Sequence, residues 1–171
     1  MTASHLRSEL QSSRDGLFAL LRGLSEEQFR YAPAPGEWNI AAHLTHLLRT
    51  ERIFAERAAL ALREHEPPVA STRISNDDDP GIAQHLAVPQ VIHGLQACRR
   101  DLVAVLDAGD AVLDRAIVHE RIGRMTITAI MEKMAAHERE HAADVARLAS
   151  QAAAASRVAL PLTERPQGGA R

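Results

Sequence analysis

Apolar residues recur along most of the chain at the three- and four-residue spacing of one helix face. Four segments show this pattern, over roughly residues 4–23, 39–65, 89–109 and 126–155. Gly23 ends the first segment, Asn39 is a good N-cap for the second, and Pro67 stops it. Four amphipathic helices of similar length, with no convincing strand, predict an all-α fold, a four-helix up-down bundle.

The connections between these helices differ in kind. A capping box over residues 25–28 opens a short turn before the second long helix. Residues 67–87 are aperiodic and predict a long crossover loop between helices 2 and 3. The acidic run at 77–79 lacks the spacing of calcium ligands, so a solvated turn is favoured. The linker over 110–125 could be extended or helical, and its pattern does not decide.

Length and composition fit one helical domain. A chain of 171 residues can bury its own core, and its 31 alanines against five aromatic residues favour closely packed helices. We predict a bundle domain over residues 1–155 and a disordered, Pro/Gly-rich tail over residues 156–171.

Charge and apolar content exclude several classes of function. With 20 basic and 22 acidic residues there is no basic field for nucleic acid. No run of 18 apolar residues exists, which predicts no membrane span, and the first residues lack a signal-peptide pattern. The single cysteine, Cys98, cannot form an intramolecular disulfide, so we expect a reducing, cytoplasmic location.

The fourth helix places His137 and His141 one turn apart on the same face, where both imidazoles could bind one metal ion. The stripe that contains them is otherwise apolar, with Ile130, Met134, Val145 and Leu148. Buried imidazoles need partners for their ring nitrogens, and a shared metal ion would satisfy both. The pair therefore predicts a metal site.

These residues also match the H-E-x-x-H motif of zinc proteases, in which Glu138 would be the general base. The extended motif requires Gly and His where this chain has Asp144 and Arg147. Its other version needs a downstream Glu ligand, and the candidate is Glu164 in the Pro-rich tail. We therefore disfavour a zinc protease.

A tight site needs a third ligand, because catalytic zinc usually has three protein ligands. The second helix offers His43, on the apolar stripe beside Ile40 and Leu47, and His46, on the flank of that stripe. Spacing alone does not choose between them.

The chain resembles the DinB/YfiT-like metal-binding superfamily over about residues 6–148. The resemblance rests on Gly36-Glu37-Trp38-Asn39-Ile40, then His46-Leu47, then a late helix with His137-x-x-x-His141. In many members the metal-binding histidine stands eight residues after the tryptophan. The residue at that position in this chain is His46. The resemblance thus implies that His46, His137 and His141 hold a divalent ion, zinc or nickel first, with iron or manganese as alternatives.

The resemblance also implies a function and a partner. Three neutral imidazoles leave the ion's charge uncompensated, so the ion could lower the pKa of a water molecule or of a low-molecular-weight thiol. Relatives include thiol S-transferases, which favours transfer of a thiol to a small electrophile; a metal-dependent hydrolase comes next, then a non-catalytic stress or interaction module. A homodimer is expected. Glu51 and Glu138 are candidate proton carriers, although Arg49 stands where members often have an acid.

Overall fold

The computed structural model describes residues 1–72 and 86–159. Its helices are α1 (Ala3–Leu21), α2 (Glu26–Arg30), α3 (Ile40–Arg63), α4 (Val88–Ala104) and α5 (Ile127–Ala159). The most extensive packing joins α1 to α5, α3 to α4 and α3 to α5. The four-helix bundle predicted from the apolar periodicity is confirmed, with α2 as a short extra helix between α1 and α3.

Helices α2 and α3 begin where the capping residues predict. Asn39 accepts a hydrogen bond from the backbone nitrogen of Ala42 at 2.9 Å and so caps α3. Ser25 and Gln28 form both hydrogen bonds of a capping box at the start of α2. These side chains satisfy backbone N–H groups that have no partner inside the helix.

Three short strands accompany the bundle within residues 1–72 and 86–159, and two of them lie in the linker whose pattern left an extended or a helical structure open. They are β1 (Pro68–Val69), β2 (Ala116–His119) and β3 (Gly123–Thr126), with β1 parallel to β2 and β2 antiparallel to β3. The linker over 110–125 is thus a 3₁₀ turn followed by most of a hairpin. Strands of four residues or fewer are too short to show an alternating pattern in sequence.

Three predictions lie wholly or partly beyond the described residues. The acidic run at 77–79 is outside them, and so are most of the predicted crossover loop over residues 67–87 and most of the predicted tail. Helix α5 continues to Ala159, past the predicted domain boundary at residue 155. The division into domain and tail stays a prediction.

The core is built from the apolar stripes of the four long helices. Fully buried side chains include Leu10 and Leu17 of α1, Leu44 of α3, Leu95 and Leu102 of α4, and Ile130 and Met134 of α5. Ile117 of β2 joins this core, which anchors the small sheet to the bundle. The opposite face of each helix is polar, and over residues 1–72 and 86–159 no helix is apolar enough to cross a membrane.

Four charged side chains lie in the middle of this core, one from each long helix. Arg14 of α1, Glu51 of α3, Arg99 of α4 and Glu138 of α5 are each at most 5% exposed. Arg14 donates to Glu138 at 2.6 Å and to Glu51 at 2.5 Å. Arg99 donates to Glu138 at 2.9 Å and also to Glu51. Each arginine therefore bridges both carboxylates, and we call this arrangement the ion-pair ring.

The remaining polar atoms of the ion-pair ring also have partners. Arg14 donates to the backbone carbonyl of Leu95, and Arg99 donates to that of Leu10. The Ser13 hydroxyl donates to Glu138 at 2.5 Å. Buried charges are tolerated when they are paired and fully hydrogen-bonded, and the ring meets that condition without net charge.

We expect Glu138→Ala to lower the free energy of unfolding by about 3–5 kcal/mol, because Arg14 and Arg99 would then share the single carboxylate of Glu51 and the core would hold an uncompensated positive charge. Urea denaturation followed by circular dichroism measures this loss. The matched control is Arg139→Ala, one residue further along α5, where an exposed pair with Glu9 at 3.1 Å is expected to contribute at most about 1 kcal/mol. Equal destabilisation by the two substitutions would contradict the role given to the ring.

Candidate metal centre

Four histidines meet where α3 packs against α5. His43 and His46 lie one turn apart on α3, and His137 and His141 lie one turn apart on α5. Trp38, directly before the N-cap of α3, covers them: its ring centroid lies 5.1 Å from that of His43, 5.2 Å from His46 and 6.2 Å from His141. The structure thus brings both histidine pairs into one cluster.

Three Nε2 atoms converge within this cluster. The Nε2 of His137 lies 3.3 Å from that of His46 and 3.1 Å from that of His141. Two nitrogens that each bind one ion at about 2.1 Å in tetrahedral geometry lie about 3.4 Å apart. The separations are therefore close to those that a shared ion would impose, and His46, His137 and His141 could hold a metal.

The chemistry of these donors also fits a metal. Burial, with help from neighbouring imidazoles, lowers the pKa of His46 to about 4 and that of His141 to about 3. Burial also lowers the pKa of His137. The three rings are therefore neutral near pH 7, which is the protonation state that binds a metal ion. Nitrogen donors of this kind suit zinc, nickel, copper or iron better than magnesium or calcium.

His43 does not point at the same centre. Its Nδ1 lies 2.8 Å from the Nδ1 of His141, on the side of the His141 ring away from Nε2. His43 is 7% exposed, and burial lowers its pKa despite the nearby Asp144. Ring nitrogens of His43 and His141 and a carboxylate oxygen of Asp144 all lie within 4.8 Å of one another, which makes a second group of possible ligands.

A solvent-accessible cavity of about 800 Å³ lies beside the histidines. Its lining comprises Gly36, Glu37, Trp38, His43, His46, His137, Glu140, His141, Asp144 and Arg147. Arg147 forms an ion pair with Asp144 at 3.1 Å. A small molecule in this cavity would contact the histidines directly, which is the usual relation between a substrate pocket and a catalytic metal.

The two predicted proton carriers lie elsewhere. Glu51 and Glu138 belong to the ion-pair ring, are fully buried, and accept hydrogen bonds from Arg14 and Arg99. Neither residue lines the cavity beside the histidines. Burial, ion pairing and distance from the cavity lining favour a structural role for both glutamates. Proton transfer by either residue stays a prediction. Burial and pairing with the two arginines also disfavour Glu138 as the general base of an H-E-x-x-H protease.

Several residues that line the site were given no role in it from the sequence. Asp144 lies one turn after His141, which is a helical signal for a shared face. Glu37 and Trp38 belong to the motif that carries the family resemblance, but only the packing of this segment against α3 brings Trp38 over the histidines. Glu140 carries no signal beyond its charge, because many exposed acids have no role.

Comparisons with known proteins identify the fold. The model of the DinB superfamily matches residues 9–145. YfiT from Bacillus subtilis, described as a probable metal-dependent hydrolase with an unusual four-helix bundle topology, superposes with a TM-score of 0.74 at 17% identity, over 87% of this chain and 86% of its own. TT2238, described as a four-helix bundle protein, superposes with a TM-score of 0.62 at 18% identity, over 84% of this chain and 97% of its own. No curated protein matches significantly.

The position of Trp38, the sole tryptophan, gives a direct test of metal binding. Paramagnetic ions quench a nearby indole, so we expect Ni²⁺ or Co²⁺ to reduce tryptophan fluorescence and to saturate at one equivalent. His137→Ala is expected to abolish the saturable quenching. His93→Ala, an exposed histidine on α4, is the control and should titrate like the unmodified protein. Quenching that persists in His137→Ala would place the ion elsewhere.

Proposed function

The chain belongs to the DinB superfamily, and from this premise we propose that it is a metal-dependent enzyme acting on small molecules. His46, His137 and His141 would hold one divalent ion through their Nε2 atoms. The observation that carries the proposal is the convergence of these atoms, 3.1 and 3.3 Å apart, beside an open cavity of about 800 Å³. A purely structural cluster would not need such a cavity.

Neutral imidazoles alone account poorly for this cluster. Each neutral ring has one acceptor nitrogen and one donor, so three converging Nε2 atoms cannot all be satisfied by one another. The Nδ1 of His137 is buried and has no hydrogen-bond partner among the described residues, so it does not supply a second anchor for that ring. A cation at the meeting point would satisfy all three acceptors at once.

The nucleophile would come from outside the protein. The cavity lining in the described residues contains no serine, threonine, cysteine or lysine. Cys98 lies on α4, and burial raises the pKa of its thiol, which makes it a poor nucleophile. The remaining candidates are water and a low-molecular-weight thiol.

Transfer of a thiol to an electrophile is the reaction that we favour. A divalent ion, when bound, supplies Lewis acidity that lowers the pKa of either nucleophile. The pKa of a free thiol is near 8.5, whereas that of bulk water is near 15.7. A water nucleophile therefore depends more on a carboxylate base that removes its proton. In zinc proteases the glutamate of the H-E-x-x-H motif supplies such a base. The matching residue here is Glu138, whose carboxylate is paired with Arg14 and Arg99. A site without that base suits a nucleophile that ionises readily.

Hydrolysis is the second candidate, and the description of YfiT as a probable metal-dependent hydrolase favours it. Asp144, at the cavity wall within 4.8 Å of ring nitrogens of His43 and His141, would be a carboxylate that could accept a proton from a water nucleophile. A non-catalytic metal-binding module is the third. The homodimer and the identity of the metal stay predictions.

Metal content is the first test of the proposal. Protein purified without chelators is expected to contain about one zinc, nickel, iron or manganese ion per chain by elemental mass spectrometry. His46→Ala, His137→Ala and His141→Ala should each lose most of it, since two histidines are too few for a tight site. His93→Ala should keep it. Unchanged metal content in His137→Ala would refute the ligand assignment.

Turnover is the second test. Metal-loaded protein is expected to accelerate loss of free thiol from a panel of small thiols with a chloro- or epoxide-bearing acceptor, relative to the same concentration of free ion. His137→Ala should fall to the free-ion rate. Ester and amide substrates, assayed in parallel, address hydrolysis. Metal-loaded protein that turns over neither panel would favour the non-catalytic module.

A further inference from the structure

We propose that His43 is a positioning residue that fixes the orientation and tautomer of the metal ligand His141; this inference rests on the proposed function. Their Nδ1 atoms lie 2.8 Å apart, a hydrogen-bond distance. His43 is not among the three residues whose Nε2 atoms converge, and it acts through a neighbour rather than on the ion.

The protonation states follow from which atom of His141 faces the ion. If Nε2 of His141 binds the ion, its single proton is on Nδ1, and Nδ1 donates to the Nδ1 of His43. His43 then carries its own proton on Nε2. Partners of this kind hold the ligand ring in place and raise its basicity. The usual partner is a carboxylate or a backbone carbonyl, and here it is a second imidazole.

His43 is well placed to act as a fixed acceptor. It is 7% exposed, and the ring of Trp38 packs edge-on against it with an interplanar angle of 78°. Asp144 has a carboxylate oxygen within 4.8 Å of a ring nitrogen of His43. A ring confined on several sides keeps its lone pair directed at His141, whereas the Nδ1 of His137 has no such partner in the part of the chain that the structure describes.

The competing assignment makes His43 a ligand, together with His141 and Asp144. In that case the Nδ1 atoms of both histidines would face the ion, at a separation of about 3.4 Å for tetrahedral zinc. The observed 2.8 Å is shorter and matches a hydrogen bond. The three converging Nε2 atoms of His46, His137 and His141 would also be left without the ion that satisfies all of them. The geometry therefore favours His46 as a ligand and His43 as the residue that supports the ligand His141.

Three substitutions of His43 separate these roles. His43→Leu removes the hydrogen-bond acceptor and fills a similar volume with an apolar side chain. His43→Asn places an amide oxygen near the position of Nδ1, and His43→Gln carries its amide further out, near the position of Nε2. Dissociation constants for Zn²⁺ are measured by competition with a chromophoric chelator, and the visible spectrum of the Co²⁺-loaded protein reports the ligand geometry.

We expect His43→Leu to bind Zn²⁺ about 10–100-fold more weakly and to shift the Co²⁺ bands, because His141 loses its orienting partner. His43→Asn should restore both affinity and spectrum. If His43→Leu does not fold, as judged by circular dichroism, the Asn and Gln variants carry the test, with weaker binding expected for Gln.

Two results would overturn this inference and leave the proposed function standing. One is equal Zn²⁺ affinity of His43→Leu and the unmodified protein, and the other is equal Zn²⁺ affinity of the Asn and Gln variants. Full metal retention by His46→Ala with complete loss in all three His43 variants would also overturn it, since His43 would then be a ligand. Absence of stoichiometric binding by the unmodified protein would overturn the proposed function and this inference together.

Discussion

The ion-pair ring is the constraint on which the rest of the structure depends. Its four charges come from four different helices, so each charge has both of its partners only when every helix is present at the correct height. An apolar core alone tolerates sliding of one helix along another, because hydrophobic contact is not directional. A buried charge without its partner costs several kcal/mol, and the ring therefore disfavours shifted arrangements of the bundle.

The ring and the histidine cluster share two helices. Glu138 follows His137 directly, and a helix turns by about 100° per residue, so the carboxylate faces the centre of the bundle while the imidazole faces α3. On α3, Glu51 stands five residues after His46 and points to the same ring. Fixing the two glutamates thus fixes the height at which the histidines of α3 and α5 meet. Sites held by rigid helices in this way keep their ligands preorganised.

The histidine cluster combines low polarity with access to solvent. Burial keeps its imidazoles neutral, and Trp38 covers one side, yet an open cavity of about 800 Å³ reaches the same atoms. A metal needed only for folding is normally enclosed by four protein ligands, whereas a catalytic metal keeps a position open. Three converging nitrogens next to a cavity resemble the second type, which supports the proposed enzymatic function.

The sequence by itself determined the number of long helices, their starts at residues such as Asn39, and the i, i+4 pair His137 and His141, because these depend on local periodicity and capping. The resemblance to the family indicated His46 as the third ligand, whereas periodicity alone did not choose between His46 and His43. Only the tertiary structure decided that Glu51 and Glu138 join arginines in the core, and that His43 contacts His141 rather than the shared centre. Those contacts join residues 37 to 124 positions apart, and no local pattern records which distant side chains will meet.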